Sequence, residues 1–157
     1  MPSLLLVDDD SAIRTLFARA LQGRGDIDQA GGGGEALRLL GAKKYDLVLL
    51  DLHMPVIDGW VVLQMLATKP GPNRDTPVFV VTADTSDRAR VEALRRKAVF
   101  FLTKPVNLAT LTSLIEGALK LGAAKSQKPP APTGAPPRLG SQPFIDPTDP
   151  DRSKKRG

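Results

Sequence analysis

Apolar runs closed by acids, with helical spacing between them, predict an α/β fold: a parallel sheet covered on both faces by helices. Leu4-Leu5-Leu6-Val7 ends in Asp8-Asp9-Asp10, and Leu47-Val48-Leu49-Leu50 ends in Asp51. Short Leu/Val runs bounded by polar residues read as strands buried on both faces. Five strand signals alternate with five helical stretches across short connections, the pattern of repeated βα units.

Residues 3–8 read as the first strand. Residues 11–22 carry Ile13, Leu16, Phe17, Ala20 and Leu21 on a helical stripe, and Gly23 and Gly25 stop it. The stretch 26–30 has one large apolar residue, so as a strand it belongs at a sheet edge. Residues 31–34 are all glycine and read as loop; 35–43 read as a short helix offering Ala36, Leu37, Leu39 and Leu40 to the core; 46–51 is the third strand. The turn-rich segment 53–59 precedes a third helix at 60–68, with Val61, Val62, Met65 and Leu66. Three prolines make 69–77 a loop. Residues 78–82 form the fourth strand, and 85–97 a polar, arginine-rich helix that presents much of itself to water. The fifth strand is 99–102, Lys104-Pro105 a turn, and 107–121 a final helix with Leu108, Leu111, Leu114, Ile115, Ala118 and Leu119 on one face. From Gly122 onward, eight prolines in thirty-six residues and few large apolar side chains cannot build a core. One domain at 1–121 and a disordered, Pro-rich basic tail at 122–157 are expected.

Composition narrows the chemistry. The 157 residues include no cysteine, which excludes disulfides, zinc thiolate sites and thiol catalysis, and one histidine, His53, which leaves little room for a Ser-His-Asp system. No signal-peptide core or bilayer-length apolar run is present, so a soluble cytoplasmic protein is expected. The net charge of +5 lies mostly in the tail: 15 Lys/Arg face 14 Asp/Glu up to Leu121, and 7 face 3 beyond it.

In doubly wound parallel sheets, ligands sit outside the carboxyl ends of the strands, where strand order reverses. If the first and third runs are adjacent, Asp8, Asp9 and Asp51 converge there. Clustered carboxylates raise one another's pKa unless a hard, oxygen-preferring cation neutralises them, so the pocket predicts Mg²⁺. Thr82 ends the fourth strand, and Lys104 follows the fifth. Asp10 reads as a helix N-cap, and Asp58-Gly59 as the turn into the third helix. The glycines at 31–34 are not followed by Gly-Lys-Ser/Thr and do not open a helix after the first strand, which argues against a nucleotide-binding loop.

Leu-Val-Asp-Asp-Asp at 6–10, Asp-Leu-Val-Leu-Leu-Asp-Leu-His-Met-Pro at 46–55 with Asp58-Gly59, Val-Val-Thr-Ala at 80–83 and Phe-Leu-Thr-Lys-Pro at 101–105 occur in order. Over residues 2–121 the chain thereby resembles the receiver domain of two-component response regulators. The resemblance implies a flavodoxin-like doubly wound (βα)₅ parallel sheet, strand order 2-1-3-4-5, and Asp51 as phosphoacceptor. It implies Mg²⁺ held by the side chains of Asp9 and Asp51, by the His53 backbone carbonyl and, through a water, by Asp8. Lys104 would pair with a phosphoryl oxygen and Thr82 donate its hydroxyl to another, while Phe101, the switch aromatic, would turn inward as Thr82 moves. His53 and Asp84 would line the pocket mouth and influence phosphoryl lifetime, and the Lys104-Pro105 bond would be cis.

The implied function is a stand-alone regulator rather than an enzyme. A histidine kinase or phosphotransfer protein would phosphorylate it, and it would act by protein–protein contact on a downstream protein; neither nucleic acid nor membrane insertion is expected. The other reading is a phosphorylation-independent adaptor with a receiver fold, acting through the basic fourth helix or the tail; intact Asp8, Asp9, Asp51, Thr82 and Lys104 argue against it. An Mg²⁺-dependent phosphatase would need a substrate pocket and an acid/base group that the sequence does not supply. One departure stands out: Arg96-Lys97-Ala98-Val99-Phe100 replaces the family's Gly-Ala-Asp-Asp-like loop before the fifth strand. No helix-turn-helix, cyclase or kinase segment follows residue 121.

Overall fold

Each Leu/Val run is a strand, and each acid that closes one lies at its carboxyl end. The computed structural model describes residues 1–126; the expected tail beyond them lies outside the described residues. The elements, in chain order, are β1 (Ser3–Val7), α1 (Ser11–Ala20), β2 (Asp26–Ala30), α2 (Gly33–Ala42), β3 (Leu47–Leu50), α3 (Gly59–Thr68), β4 (Val78–Thr82), α4 (Asp87–Arg96), β5 (Ala98–Thr103) and α5 (Leu108–Ser126). All strand pairs are parallel, and the sheet runs β2-β1-β3-β4-β5, a flavodoxin-like arrangement in which order reverses between β1 and β3. Val7 is in register with Leu50, so the residues after both strands leave the sheet side by side.

Alternate residues of the strands feed two apolar layers, as a period-two pleat requires. Leu5, Val7, Val48, Leu50, Val78 and Val80 face Leu40, Val62, Leu63, Ala89 and Ala93 of α2, α3 and α4. Leu4, Leu6, Leu47, Leu49, Phe79 and Val81 face Phe17 of α1 and Leu111 and Ile115 of α5. β3 and β4 are buried throughout, whereas β2 is half exposed, as an edge strand with one large apolar residue should be.

The helix starts follow capping chemistry. Asp10 accepts from the amide of Ala12 at 2.9 Å, Asp58 from that of Val61 at 3.1 Å, and Ser86 from that of Ala89 at 3.1 Å, each satisfying an otherwise unpaired first-turn donor.

Several boundaries differ from expectation; α1 ends at Ala20, two residues early, and β3 is confined to Leu47–Leu50. Gly33 and Gly34 belong to α2 rather than to a loop; a Cβ at Gly33 would stand 2.3 Å from the Ile57 carbonyl oxygen, so that helical position requires glycine to let α2 approach the β3–α3 loop. α4 starts at Asp87, two residues late, because Ser86 is its cap. β5 runs from Ala98 to Thr103 and carries a bulge: Val78 pairs with Ala98 and Phe79 with Phe100, leaving Val99 as an extra residue on an edge strand. α5 continues to Ser126, five residues past its expected end.

The proline-rich segment 69–77 is a loop, but a pinned one. Asn73, 1% exposed, accepts from the Tyr45 amide at 2.7 Å and the Thr76 hydroxyl at 2.9 Å, and donates to the carbonyls of Leu40 and Lys43 at 2.7 and 2.6 Å. One amide thus satisfies the end of α2 and the entry to β3.

Candidate functional site

The register between β1 and β3 brings carboxylate oxygens of Asp8, Asp9 and Asp51 within 4.8 Å of one another, with Asp8 and Asp51 buried and Asp9 exposed. Lys104, reaching in from the turn after β5, donates to Asp8 Oδ2 at 2.7 Å and lies 3.3 Å from Asp51 Oδ2. The protein therefore supplies one cation of its own: a single ammonium already bridges the two buried acids and relieves part of their repulsion. Burial pulls the Lys104 pKa down, but hydrogen bonding to Asp8 and the charges of Asp51 and Asp8 together outweigh it and hold the group above its ordinary value.

Backbone donors fix the remaining carboxylate oxygens. Asp8 Oδ1 accepts from the Asp10 amide at 2.9 Å, and Asp51 Oδ1 from the His53 amide at 3.3 Å. The backbone of Asp51 is crowded as well: a Cβ on Gly59 would stand 2.1 Å from its carbonyl oxygen, so the β3–α3 loop folds back over Asp51 only because residue 59 is glycine. The same loop contains Val56, a β-branched residue at φ 70° whose side chain is fully exposed.

Thr82 is fully buried at the end of β4, its hydroxyl accepting from the Asp84 amide at 3.4 Å, and the Lys104 amide donates to the Thr82 carbonyl at 2.8 Å. That bond holds the β4 and β5 ends of the site together. The Lys104-Pro105 bond is cis.

His53 and Asp84, expected at the pocket mouth from the family resemblance, are bonded to each other, Nε2 to Oδ2, at 3.0 Å. The Ser86 amide and then the His53 ring hold the Asp84 carboxyl down at about 2. Phe101 is 6% exposed, already turned inward among the α4 side chains, with the Arg90 guanidinium 5.1 Å from its ring centroid. Arg14, which the sequence did not single out, donates through Nη1 to the Asp8 carbonyl and through Nε to Gln29 at 3.1 Å, tying α1 to the ends of β1 and β2. Its only sequence signal is its place on α1 just after the acid run, which a helical stripe of apolar residues does not mark.

Three oxygen ligands on adjacent strand ends, two of them buried and oriented by backbone amides, suit a small hard dication. With a hydroxyl at Thr82 and an ammonium at Lys104 on the same rim, the arrangement can hold an anionic group against a carboxylate. Residues 4–116 match the response regulator receiver domain, and the chain belongs to that family. Among curated proteins it is 34% identical over 127 residues to the transcriptional regulatory protein AfsQ1 of Streptomyces coelicolor, covering 80% of this chain and 55% of that one. It is 37% identical over 121 residues to the transcriptional regulatory protein GlrR of Escherichia coli, covering 76% and 27%. The chain thus spans about half or less of the length of these relatives. Among solved structures, the receiver domain of Francisella response regulator 1452 is 30% identical with a TM-score of 0.71, covering 77% of this chain and 98% of that one. The signal receiver domain of a Luxo repressor protein from Vibrio parahaemolyticus is 28% identical with a TM-score of 0.74, covering 80% and 95%. Among the described residues no helix is long and apolar enough to cross a membrane.

Proposed function

We propose that Asp51 accepts a phosphoryl group from a histidine kinase or phosphotransfer protein in the cytoplasm, and that the domain then signals through protein–protein contact. The observation that carries this reading is the shared grip of Lys104 on Asp8 and Asp51, with Asp9 within ligand distance and Thr82 at the neighbouring strand end. Asp51 Oδ attacks phosphorus, the bond to the donor's leaving group breaks, and that group departs with the bonding pair. Lys104 then exchanges its contact with the carboxylates for a phosphoryl oxygen, and the Thr82 hydroxyl turns from acceptor to donor toward another. Mg²⁺ held by Asp9 and Asp51, by the His53 carbonyl and through water by Asp8 would screen donor and acids from one another. His53 and Asp84 form the wall past which the donor enters and attacking water arrives.

The test is intact-mass spectrometry of the full chain after incubation with Mg²⁺ and a small phosphodonor. One added phosphoryl group is expected on wild type and none on Asp51→Asn; equal labelling of both would place the acceptor elsewhere.

A further inference from the structure

The far rim of the sheet carries a cluster of cations remote from the acid site. β3, β4 and β5 are neighbours in the sheet, and Lys44, Arg74 and Lys97 stand just before their amino ends. Asp51, Thr82 and Lys104 follow the carboxyl ends of the same three strands.

Loop contacts draw the three cations together. Lys97 Nζ donates to the Arg74 carbonyl, and Lys44 Nζ lies 3.3 Å from the hydroxyl of Thr76, two residues further on. The segment between those contacts is fixed in advance, because the buried Asn73 beside it bonds the Tyr45 amide and the carbonyls of Leu40 and Lys43. Lys44 and Arg74 are exposed and Lys97 is half-buried. Among the described residues none of the three is in an ion pair. Burial pulls the Lys97 pKa below its ordinary value; the charge of Asp75 does not restore it, and Lys44 and Arg74 add to the pull. Like charges gathered on a fixed loop cost free energy unless an anion joins them. Lys97 also belongs to the stretch 96–100 that departs from the family's loop, so the cluster is a feature of this chain rather than of the fold.

We propose that Lys44, Arg74 and Lys97 bind a small oxyanion of the phosphate class, free phosphate or a phosphomonoester. Three cations beside one carboxylate, Asp75, leave a balance of two positive charges, and a phosphomonoester carries about −1.5 to −2 at pH 7. Its oxygens suit a guanidinium fork on one side and two ammonium point charges on the others. A single carboxylate brings one charge and leaves part of the cluster unanswered. Duplex DNA is a poorer occupant, because a phosphate backbone is followed by cations spread along it, whereas these three converge on one loop segment. The site is independent of phosphoryl transfer to Asp51, which lies at the opposite ends of the strands.

The probe is inorganic phosphate titrated into the ¹⁵N-labelled full chain in chelator at about 150 mM salt, where charges more than about 8 Å apart are largely screened. Malonate, a dicarboxylate of similar charge, and a short DNA duplex are titrated in parallel. Saturable shifts of the Arg74, Thr76 and Lys97 amides are expected with phosphate, weaker ones with malonate. Affinity should fall at least about tenfold in Lys97→Gln and in Arg74→Gln. Lys44→Gln, at an exposed position, should give a comparable loss, which covers the case that Lys97→Gln disturbs the loop through its bond to the Arg74 carbonyl. Arg88→Gln, at the other end of α4, removes the same charge and should leave affinity unchanged. No saturation by about 10 mM phosphate, equal affinity for malonate, an equal loss in Arg88→Gln, or binding of DNA alone each overturns the proposal. Shifts confined to the acid site do the same. Asp51→Asn separates the two readings: it removes phosphorylation under the proposed function and leaves phosphate binding at this rim intact.

Discussion

Replacing Lys104 with methionine keeps the stem and removes the charge that joins Asp8 to Asp51. At 2.7 and 3.3 Å the two contacts correspond to about 6 and 5 kcal/mol of gross attraction at an effective dielectric of about 20. Several kcal/mol of ammonium desolvation offset that sum, so the net loss is smaller. Removing one partner of a buried ion pair typically destabilises by about 3–5 kcal/mol, because the remaining charge is left uncompensated. A destabilisation of about 3–4 kcal/mol at pH 7 is therefore expected in chelator. Its sign against pH follows from linkage: burial lowers the Lys104 pKa but Asp8 and Asp51 together hold it above its ordinary value, so the stability that Lys104 contributes is fully present at pH 7 and is lost as pH rises through the lysine range. Urea unfolding followed by Trp60 fluorescence at pH 7 and at alkaline pH measures both ends. Millimolar Mg²⁺ should raise the melting temperature more in Lys104→Met than in wild type, since the dication then relieves a larger repulsion. A variant as stable as wild type at pH 7, or an equal Mg²⁺ gain in both proteins, would refute the argument that these charges are coupled.

Two further outcomes follow from the backbone. Asn73→Ala removes four hydrogen bonds from a buried position and leaves the Tyr45 amide and two carbonyls without that partner; at about 1 kcal/mol each, a loss of about 3–4 kcal/mol in urea unfolding is expected, and a loss under about 1 kcal/mol would mean that water replaces the amide. Val56→Gly relieves a left-handed β-branched residue, which costs about 1–2 kcal/mol, against the added freedom of glycine in the unfolded chain; a net gain of about 0.5–1 kcal/mol is expected, and destabilisation would show that the Val56 side chain makes a contact worth more than its strain.

Much of the candidate site was legible because its residues sit at strand ends. An apolar run that stops at an acid marks both the strand and the place where the chain leaves the sheet, so Asp8, Asp51 and Thr82 could be placed on one edge before any contact was known. Asp10 and Asp58 were legible as turn and cap residues for a similarly local reason. What stayed hidden depends on contacts between distant residues. Arg14 binds Gln29 fifteen positions on, Asn73 reaches back thirty-three to Leu40, and His53 finds Asp84 across thirty-one. Polar side chains like these have no period, and only the folded register chooses their partners.

The two ends of β5 show why a local pattern can be read correctly and still miss its consequence. Residues 99–102 look like an ordinary apolar strand, and the alternation of Phe100 and Phe101 predicts one core ring and one peripheral ring, as found. Alternation assumes one residue for one across the ladder. Pairing Phe79 with Phe100 instead of Val99 breaks that count, and the extra residue adds its own apolar side chain to the exposed edge beside Phe100. Bulges on edge strands ordinarily hinder sheet-to-sheet pairing by disrupting the ladder. Here the disrupted edge also displays two large apolar side chains, Val99 and Phe100, while the neighbouring Phe101 is covered by Arg90. At the other end of the strand, Thr103 leads directly to Lys104, whose amide is bonded to Thr82 and whose ammonium holds the acids. One six-residue strand therefore spans the distance from the acid site to the bulge at Val99.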